Sequence, residues 1–319
     1  MKSSVAFIGL GIMGQRMLAN MAGHGGFELA AAWDPHPDAC RLVATRYPGI
    51  ALADSAEQLI SETKVDAVYI ASPPGSHRQY ASAAARAGKA VYCEKPLGID
   101  IDESRALVAE VEACGVPSAV NFPFAASLVI RHIENRLATG LLGELTGVEI
   151  LLRFASWPRE WQQSATWLSQ RREGGFVREV GSHFIFLAEK LFGPATLKHS
   201  SVRYGEDATR CEMEALATLD CNGIPVSFSA SAGGAGPDQI EFTIRGSRQS
   251  LRLSDWANLH STVGSQWQDE LSESEKLDGV GNQDLLDNFL AMLRGQSHCM
   301  ASFGAALSVQ ETVEAILIN

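Results

Sequence analysis

Three glycines near the start of the chain constrain its fold more than any other feature. Gly9, Gly11 and Gly14 form the pattern G-x-G-x-x-G between two segments of different character. Residues 4–9 are a continuous apolar run, which is typical of a strand buried on both faces, and residues 12–21 have the pattern of a helix. A strand that passes through a tight glycine turn into a helix predicts the first β-α unit of a parallel sheet.

The glycine turn also predicts a binding site for a dinucleotide. Gly9 permits the tight turn, Gly11 lets the backbone approach a pyrophosphate, and Gly14 lets the helix pack closely against the strand. Ile12 and Met13 lie at the start of the helix, where backbone N–H groups and the helix dipole favour a bound phosphate. We therefore expect all five residues to bind the cofactor.

Asp34 predicts which dinucleotide is bound. It ends the second apolar run, 20 residues after Gly14, where a carboxylate can accept hydrogen bonds from the adenosine ribose hydroxyls. The same charge would repel the 2′-phosphate of NADP, so NAD is favoured over NADP. Arg41, on the following helix, is either a phosphate partner or a solvated surface charge, and we favour the second reading.

Short apolar runs alternate with helical segments through residues 1–122, which is the signature of a parallel sheet with crossover helices. Further strands are predicted at residues 27–33, 66–71, 90–93 and 117–122, and helices at residues 38–46 and 102–114. Residues 55–58 and 76–79 have the sequence of capping boxes, which predict the starts of two more helices. Residues 1–122 are thus expected to form a Rossmann domain, a doubly wound parallel sheet of six strands, of which these runs locate five.

Residues 123–319 have a different pattern. Apolar and polar residues alternate with period two in segments 211–219, 226–231 and 240–245, which predicts strands with one buried and one polar face. In this reading Glu212 lies on the polar face. Helices are expected near residues 178–191, 283–294 and 303–317. The second domain is therefore predicted to be α+β, with a large, mainly antiparallel open sheet.

The size and charge of the chain narrow its partners. At 319 residues, with 46% hydrophobic and 20% charged residues, the composition suits two globular domains. The charge sum of 26 − 37 = −11 argues against a general binder of nucleic acid or of an anionic membrane. No apolar run approaches the ~20 residues of a membrane-spanning helix, and the first residues lack the pattern of a signal peptide.

The six cysteines are scattered along the chain, without a C-x-x-C pair. This spacing favours reduced thiols, read as buried small hydrophobic residues, over a disulfide framework or a zinc site. We therefore expect a cytoplasmic protein without a metal site.

Three further motifs occur in order along the chain: A-S-P-P-G-S-H at residues 71–77, E-K-P at 94–96 and G-G-F-V-R-E-V-G-S-H at 174–183. Together they resemble the glucose–fructose oxidoreductase / inositol dehydrogenase / rhizopine catabolism (Gfo/Idh/MocA) family. The resemblance covers nearly the whole chain. It implies an NAD(P)-dependent oxidoreductase that transfers a hydride between the nicotinamide and a carbinol or carbonyl carbon of a small sugar-like or sugar-derived substrate. It also implies further residues beside the cofactor, namely Ser72, Pro73, His77, Glu94 and Lys95.

Lys95, Glu179 and His183 are the expected catalytic residues. Glu179 and His183 are four apart, so on a helix they share one face, and an acidic partner fixes the tautomer of a histidine and raises its pKa. Lys95 lies at the carboxyl end of a parallel strand, where ligands bind in such sheets, and can hydrogen-bond the reacting oxygen. The resemblance implies that His183 relays the proton, Lys95 holds the oxygen and Glu179 orients His183.

Three positions depart from the family pattern. Glu179 stands where the family has aspartate, Phe186 where a second aspartate often contacts sugar hydroxyls, and Gly75 where asparagine is usual. Because of Phe186, a less hydroxylated ketone, acid or imine stays open as the substrate. The alternative function is a non-catalytic dinucleotide-binding regulator or scaffold of the same fold, and the retention of Lys95 and His183 argues against it.

Segment 154–176 is rich in aromatic and cationic residues. They are Trp157, Trp161, Trp167, Arg159, Arg171 and Arg172. The segment is either a substrate lid with aromatic walls and a cationic grip on a carboxylate, or a packed loop with a solvated charged face. The sequence leaves both readings open.

The polar face of the predicted second sheet carries small residues, namely Ser227, Ser229, Ser231 and Thr243. A face meant only for water would normally carry more charged side chains. Small residues let a second flat sheet approach closely. We therefore expect a homodimer, or a homotetramer built as a dimer of dimers, joined through this face.

Overall fold

The structure is a computed structural model that describes residues 2–62, 64–272, 274–275 and 283–318. Its contacts divide the chain into two compact units. The first comprises the described residues of Met1–Ala126 and Gly281–Leu307, and the second those of Ser127–Val280 and Ser308–Asn319. None of the described helices is long and apolar enough to cross a membrane.

The first unit contains a six-stranded parallel sheet, which confirms the predicted fold class. Its strands are β1 Ser3–Ile8, β2 Phe27–Trp33, β3 Ala51–Leu52, β4 Ala67–Ile70, β5 Ala90–Cys93 and β6 Ser118–Val120. They are arranged in the order β3-β2-β1-β4-β5-β6. Strands β4 and β5 are buried along their whole length, as expected for parallel strands that are covered on both faces. The two-residue strand β3 is exposed and too short for a periodicity to reveal it.

Five helices connect these strands in the described part of the first 126 residues: α1 Ile12–Gly23, α2 Pro37–Arg46, α3 Ala56–Glu62, α4 His77–Arg86 and α5 Ile101–Cys114. The predicted cap of α3 is confirmed, because Gln58 N–H donates to Ser55 Oγ at 3.1 Å. The predicted capping box at residues 76–79 is wrong. Ser76 Oγ instead donates within its own turn, to Ser72 Oγ and to the Pro73 carbonyl, each at 2.8 Å, and so does not cap α4.

The second unit contains an eight-stranded, mainly antiparallel sheet. Its strands are β7 Leu145–Phe154, β8 Ala195–Tyr204, β9 Glu212–Cys221, β10 Ile224–Ala232, β11 Gln239–Gly246, β12 Ser250–Ser254, β13 Asn258–Thr262 and β14 Gln268–Asp269. Their order is β14-β13-β12-β11-β7-β10-β9-β8. Strands β7 and β10 pair in parallel, whereas β7 pairs antiparallel with β11. The later described helices are α6 Leu128–Ala138, α7 Ser182–Phe192, α8 Gln283–Leu293 and α9 Phe303–Ile318.

Helix α8 packs with the first unit, although the sequence-based division placed all of residues 123–319 in one domain. Phe289 stacks on Tyr92 of β5 and on Phe27 of β2, with ring centroids 4.6 and 5.7 Å apart. His24 Nε2 lies 3.1 Å from Asp287 Oδ1. The apolar pattern of α8 predicts that one face is buried, but it carries no information about the partner.

Strand β9 corrects the predicted alternation at its start. Tyr204 pairs with Glu212 and Arg203 with Glu214, so that Met213 is an extra residue between the two pairs. Such a bulge reverses the side-chain alternation. Glu212 is consequently only 3% exposed, and Met213 lies on the surface instead. Thr243, also expected on the polar face, is buried as well.

The six cysteines are free thiols. Cys93, Cys211 and Cys221 are buried, and burial raises the pKa of each thiol. Cys114 and Cys299 are exposed, so the prediction that all six are buried is wrong. Both lie at or beyond a helix end, which an apolar pattern does not distinguish from the core.

Candidate active site

The glycine turn after β1 has the shape that a pyrophosphate needs. Gly9 has φ of 92°, and a Cβ there would lie 2.5 Å from the Ala71 carbonyl carbon. A Cβ on Gly14 would lie 2.0 Å from the Gly9 oxygen, whereas a Cβ on Gly11 would meet nothing within 4 Å. Gly9 and Gly14 are thus required for packing, and Gly11 borders open space at the N-terminus of α1, where Ile12 and Met13 begin the helix.

The Asp34 carboxylate is fixed by two backbone groups. Leu10 N–H donates to Oδ2 at 2.7 Å and His36 N–H donates to Oδ1 at 2.9 Å. Each carboxylate oxygen has two acceptor positions, so both oxygens keep capacity for ribose hydroxyls. Arg41 is largely exposed and pairs with Asp38, three residues earlier on α2, which agrees with the reading of Arg41 as a surface charge.

His77 joins two turns at the carboxyl edge of the first sheet. Its ring is 1% exposed, and Nδ1 and Nε2 each lie 2.7 Å from a carbonyl oxygen, of Pro96 and Ser72 respectively. Burial lowers the pKa of His77, the two carbonyl contacts oppose this, and the nearby Lys95 ammonium lowers it further. Because both ring nitrogens contact the protein backbone, His77 links the turn at Ser72 to the turn at Lys95.

Glu94 is the centre of a buried hydrogen-bond network beneath Lys95. The Tyr69 hydroxyl donates to Glu94 Oε1, and Asn121 Nδ2 donates to the same oxygen at 2.6 Å. The Tyr92 hydroxyl donates to Asn121 Oδ1, also at 2.6 Å. Burial, with the charge of Glu94, raises the pKa of both tyrosines well above the usual value, so they remain donors. The network fixes the end of β5, where Lys95 is half-buried.

Sequence reasoning did not identify the partners in this network. Tyr69 and Tyr92 lie in strands that were predicted to be buried and apolar, and Asn121 directly follows β6. A buried tyrosine hydroxyl usually requires a hydrogen-bond partner. Two tyrosines in neighbouring buried strands, next to Glu94, are therefore the signal that could have found it.

Glu179 and His183 lie on consecutive turns in the second unit. The segment Val177–Gly181 is a π-helix that leads into α7, so the α-helix predicted from residue 178 begins with a wider turn. π-turns of this kind are frequent at functional sites. Glu179 is half-buried, and His183 is 8% exposed with its ring edge-on to Trp256, centroids 5.2 Å apart.

Glu212 supports the start of this π-turn. Its Oε1 accepts from Val177 N–H at 2.8 Å. Gly175 has φ of 101°, and a Cβ there would lie 2.2 Å from Glu212 Oε2, so only glycine leaves room for the carboxylate. Burial raises the pKa of Glu212, and the Val177 N–H and the charge of Arg178 oppose that shift. The period-two pattern placed Glu212 on the polar face because it does not reveal the bulge at Met213, which reverses the alternation there.

Arg178 also anchors the turn. Its Nε and Nη2 donate to the two oxygens of Glu314 on α9 at 2.5 and 2.7 Å. Its Nη1 donates to the carbonyls of Arg171 and Gly174 at 2.8 and 2.9 Å. A forked pair of this kind fixes direction as well as distance. Arg178 therefore connects α9 to the segment that precedes Glu179.

Segment 154–176 combines both predicted characters. Trp157 packs inward, with its indole N–H donating to the Leu168 carbonyl at 3.0 Å, and the Arg171 guanidinium lies 3.7 Å from the centre of the Tyr204 ring. Trp161, in contrast, is 47% exposed. Part of the segment is thus a packed loop, and a lid role for the rest stays a prediction.

Two family descriptions match the chain. Residues 3–122 match GFO_IDH_MocA, an oxidoreductase family with an NAD-binding Rossmann fold, and residues 130–252 match the GFO/IDH/MocA C-terminal domain. The first match contains the glycine turn, Asp34 and Lys95. The second contains the π-turn with Glu179 and His183.

Curated relatives and a solved structure are similar over long stretches. The chain is 27% identical over 259 residues to a D-apiose dehydrogenase from Paraburkholderia graminis, covering 78% of this chain and 67% of that protein. It is 27% identical over 187 residues to an inositol 2-dehydrogenase from Rhizobium meliloti, covering 58% of this chain and 54% of that protein. An oxidoreductase from Agrobacterium radiobacter, solved with NAD⁺, L-tartaric acid and magnesium, has a TM-score of 0.85 at 20% identity and covers 99% of this chain and 95% of its own. At 20% identity, this structural similarity shows that the two chains share a fold and nothing more.

Proposed function

The chain belongs to the GFO/IDH/MocA family of NAD-binding oxidoreductase enzymes, and from this premise we propose that it is an NAD-dependent dehydrogenase, or in reverse a reductase, of a small sugar or sugar-derived substrate. The observation that carries the proposal is the pair Glu179 and His183 on one π-to-α turn. A protein that only binds a dinucleotide has no need of a carboxylate and a histidine on consecutive turns.

The glycine turn and Asp34 fit the cofactor. Gly11 leaves open space beside the N-terminus of α1, where backbone N–H groups favour a pyrophosphate. Asp34 is held by Leu10 and His36 and would accept from the ribose hydroxyls, which favours NAD over NADP. Ser72, Pro73 and Glu94 border the same edge of the sheet. Together these residues would hold or border an NAD, whose nicotinamide would supply the hydride chemistry.

The chain's own side chains transfer the proton that accompanies the hydride. As a carbinol is oxidised, its carbon loses a hydride and its hydroxyl loses a proton, and His183 takes that proton. Lys95 hydrogen-bonds the oxygen and stabilises the negative charge that develops on it. Glu179 orients His183 and stabilises its protonated form. In this scheme His77 and the Glu94 network act indirectly, by holding the turn that carries Lys95.

The substrate class rests on the relatives and on one position of α7. The relatives named D-apiose dehydrogenase and inositol 2-dehydrogenase favour a monosaccharide or cyclic polyol. Phe186 is buried and offers no carboxylate to a hydroxyl, which favours a substrate with fewer hydroxyl contacts on that side.

The test follows NADH in both directions: its formation from NAD⁺ with D-apiose and myo-inositol, and its consumption with a panel of keto-sugars and imines. We expect turnover of at least one compound by the wild-type protein and a loss of about two orders of magnitude in His183→Ala. If NADH binds but no compound is turned over, the alternative of a non-catalytic dinucleotide-binding regulator or scaffold is supported instead.

The open face of the second sheet supports a proposed homodimer or homotetramer. Ser227 is exposed, Ser229 Oγ accepts from Arg153 Nη2 at 2.9 Å, and the neighbouring Leu216 is an exposed apolar residue. Ser229→Arg would place like charges near a two-fold axis and should dissociate the oligomer. A wild-type monomer by light scattering at micromolar concentration would contradict this proposal.

The free thiols are in keeping with the proposed cytoplasmic location.

A further inference from the structure

Gln162 is a buried polar residue in segment 154–176 that the proposed mechanism does not use. Its side chain is 2% exposed, and its amide lies between two charged groups. Arg159 Nε donates to Gln162 Oε1 at 2.9 Å, and Gln162 Nε2 donates to Glu179 Oε1 at 3.3 Å. Because an arginine can only donate and a carboxylate can only accept, these neighbours allow a single orientation of the amide.

The position of Gln162 is itself fixed. Gln162 N–H donates to the Arg159 carbonyl, and Ala165 N–H donates to the Gln162 carbonyl, each at 2.9 Å. The Arg159 guanidinium lies 4.8 Å from the centre of the Trp161 ring and 5.5 Å from that of Phe154, so its direction is set by aromatic faces. The backbone of Gln162 and the orientation of its amide are therefore both fixed before the amide donates to Glu179.

Glu179 stands where the resembled family pattern has aspartate, and its length matters for this contact. A glutamate carboxylate extends one methylene further from the backbone, which is about 1.5 Å. The contact to Gln162 is already 3.3 Å long. An aspartate on the same backbone would therefore leave its oxygens out of hydrogen-bond range of Gln162.

We propose that Gln162 is a positioning residue that fixes the direction of the Glu179 carboxylate, and that Gln162 and Glu179 work as a matched pair. The proposal rests on the proposed role of Glu179 in orienting His183. A donated hydrogen bond stabilises the ionised carboxylate and fixes the place of one of its oxygens. The segment that resembles a lid in composition thereby supports the catalytic turn.

A double-mutant cycle in turnover tests the pair, with D-apiose or myo-inositol as the substrate probe. Gln162→Leu should lower kcat about tenfold while the KM for NAD stays within about twofold. In the Glu179→Asp background, Gln162→Leu should change kcat less than about twofold, because the shorter side chain does not reach. Gln163→Leu, on the exposed neighbouring residue, is the matched control. Equal losses in both backgrounds would overturn the pairing.

A second cycle needs no substrate and therefore separates this proposal from the proposed function. The probe is the titration of the His183 imidazole, followed by NMR in the full chain. Glu179→Gln removes a negative charge and should lower the titration midpoint, and the decrease should be smaller in the Gln162→Leu background. An equal or larger decrease there would overturn the proposal, even if sugars are turned over.

Gln162→Met guards against a folding artefact. It keeps the length and approximate volume of the glutamine side chain but cannot donate to Glu179. We expect it to reproduce the effects of Gln162→Leu in both cycles. A Gln162→Met protein with wild-type kcat and a wild-type response to Glu179→Gln would contradict the proposal. If the NMR cycle holds while no sugar is turned over, the pairing stands and the proposed function fails.

Discussion

The cofactor end of the first unit and the catalytic turn of the second are held in place by different kinds of contact. At the cofactor end, backbone groups do most of the work: Leu10 and His36 donate N–H groups to Asp34, and Gly14 touches the Gly9 carbonyl. The π-turn is held instead by side chains from distant parts of the chain. Glu212 accepts from the Val177 N–H, and Glu314 accepts from the Arg178 guanidinium.

This difference indicates how each region should fail. A backbone contact has no side chain that can move aside, so a single added methyl group should be enough to disrupt it. A side-chain contact can relax or be replaced by a residue of similar shape, so it should respond to charge and pH instead. Four experiments test this contrast, beginning with the largest expected effect.

Gly14→Ala should destabilise the protein by about 3 kcal/mol, because its Cβ would lie 2.0 Å from the Gly9 oxygen and neither backbone can yield cheaply. Gly23→Ala is the matched control on the same helix, where a Cβ meets nothing within 4 Å. It should leave the free energy of unfolding unchanged or raise it by up to about 1 kcal/mol. Denaturant unfolding measures both, and similar values for the two variants would refute the close approach.

Lys95→Ala and His183→Ala should each lower kcat by about 100-fold, which is about 2.7 kcal/mol of transition-state stabilisation. NADH affinity, followed by fluorescence, should stay near wild type in both. Glu179→Gln should have a milder effect and should shift the pH profile, because it removes orientation and charge but leaves the proton relay. Full activity in His183→Ala would exclude it from the mechanism.

Asp34→Ala should narrow a preference for NADH over NADPH that we expect to be at least about tenfold, or about 1.4 kcal/mol. The variant also loses the acceptors of Leu10 and His36 N–H, so its stability should decrease as well. Asp38→Ala, on the neighbouring exposed pair with Arg41, is the control and should change neither. A native preference for NADPH would show that the carboxylate does not face the ribose.

Glu212→Gln should have the smallest effect and the clearest dependence on pH. Burial raises the pKa of Glu212 in the folded protein, so folding favours its protonated form and wild-type stability is lost as pH rises through that raised pKa. Glutamine cannot ionise. The unfolding free energy of the variant minus that of wild type should therefore increase as pH rises above about 4.3, the ordinary pKa of a glutamate in an unfolded chain. Glu214→Gln, on the partly exposed pair with Arg203, should show no such increase.

The same contrast explains what could be predicted from the sequence. The glycine spacing, the apolar runs and Asp34 are local features, and the structure has the parallel sheet and the second, mainly antiparallel sheet that they predict. Lys95, Glu179 and His183 were found by motif, and each lies at or near the end of an element or on a turn. Their roles remain predictions for the experiments above.

What could not be predicted depends on residues that are far apart in sequence. Glu212 was assigned to the wrong face because one extra residue, Met213, reverses the alternation of β9, and no periodicity reveals a single bulge in advance. Glu314, which binds Arg178, is 136 residues away from it, and Glu179, which accepts from Gln162, is 17 residues away. Ser76 was read as a cap, but its hydroxyl has acceptors closer within the turn, and sequence alone does not rank such alternatives.

The course of the chain through α8 has a consequence for biosynthesis. The first 126 residues contain the whole parallel sheet, but the rings of Phe27 and Tyr92 are packed against Phe289, which comes much later in the chain. A ribosome delivers that helix only after residues 127–280, most of the second unit, have been made, so the nascent first unit carries uncovered aromatic rings through most of translation. A gene fragment that stops at residue 126 would make this state permanent, and its product should aggregate unless the peptide of α8 is supplied in trans.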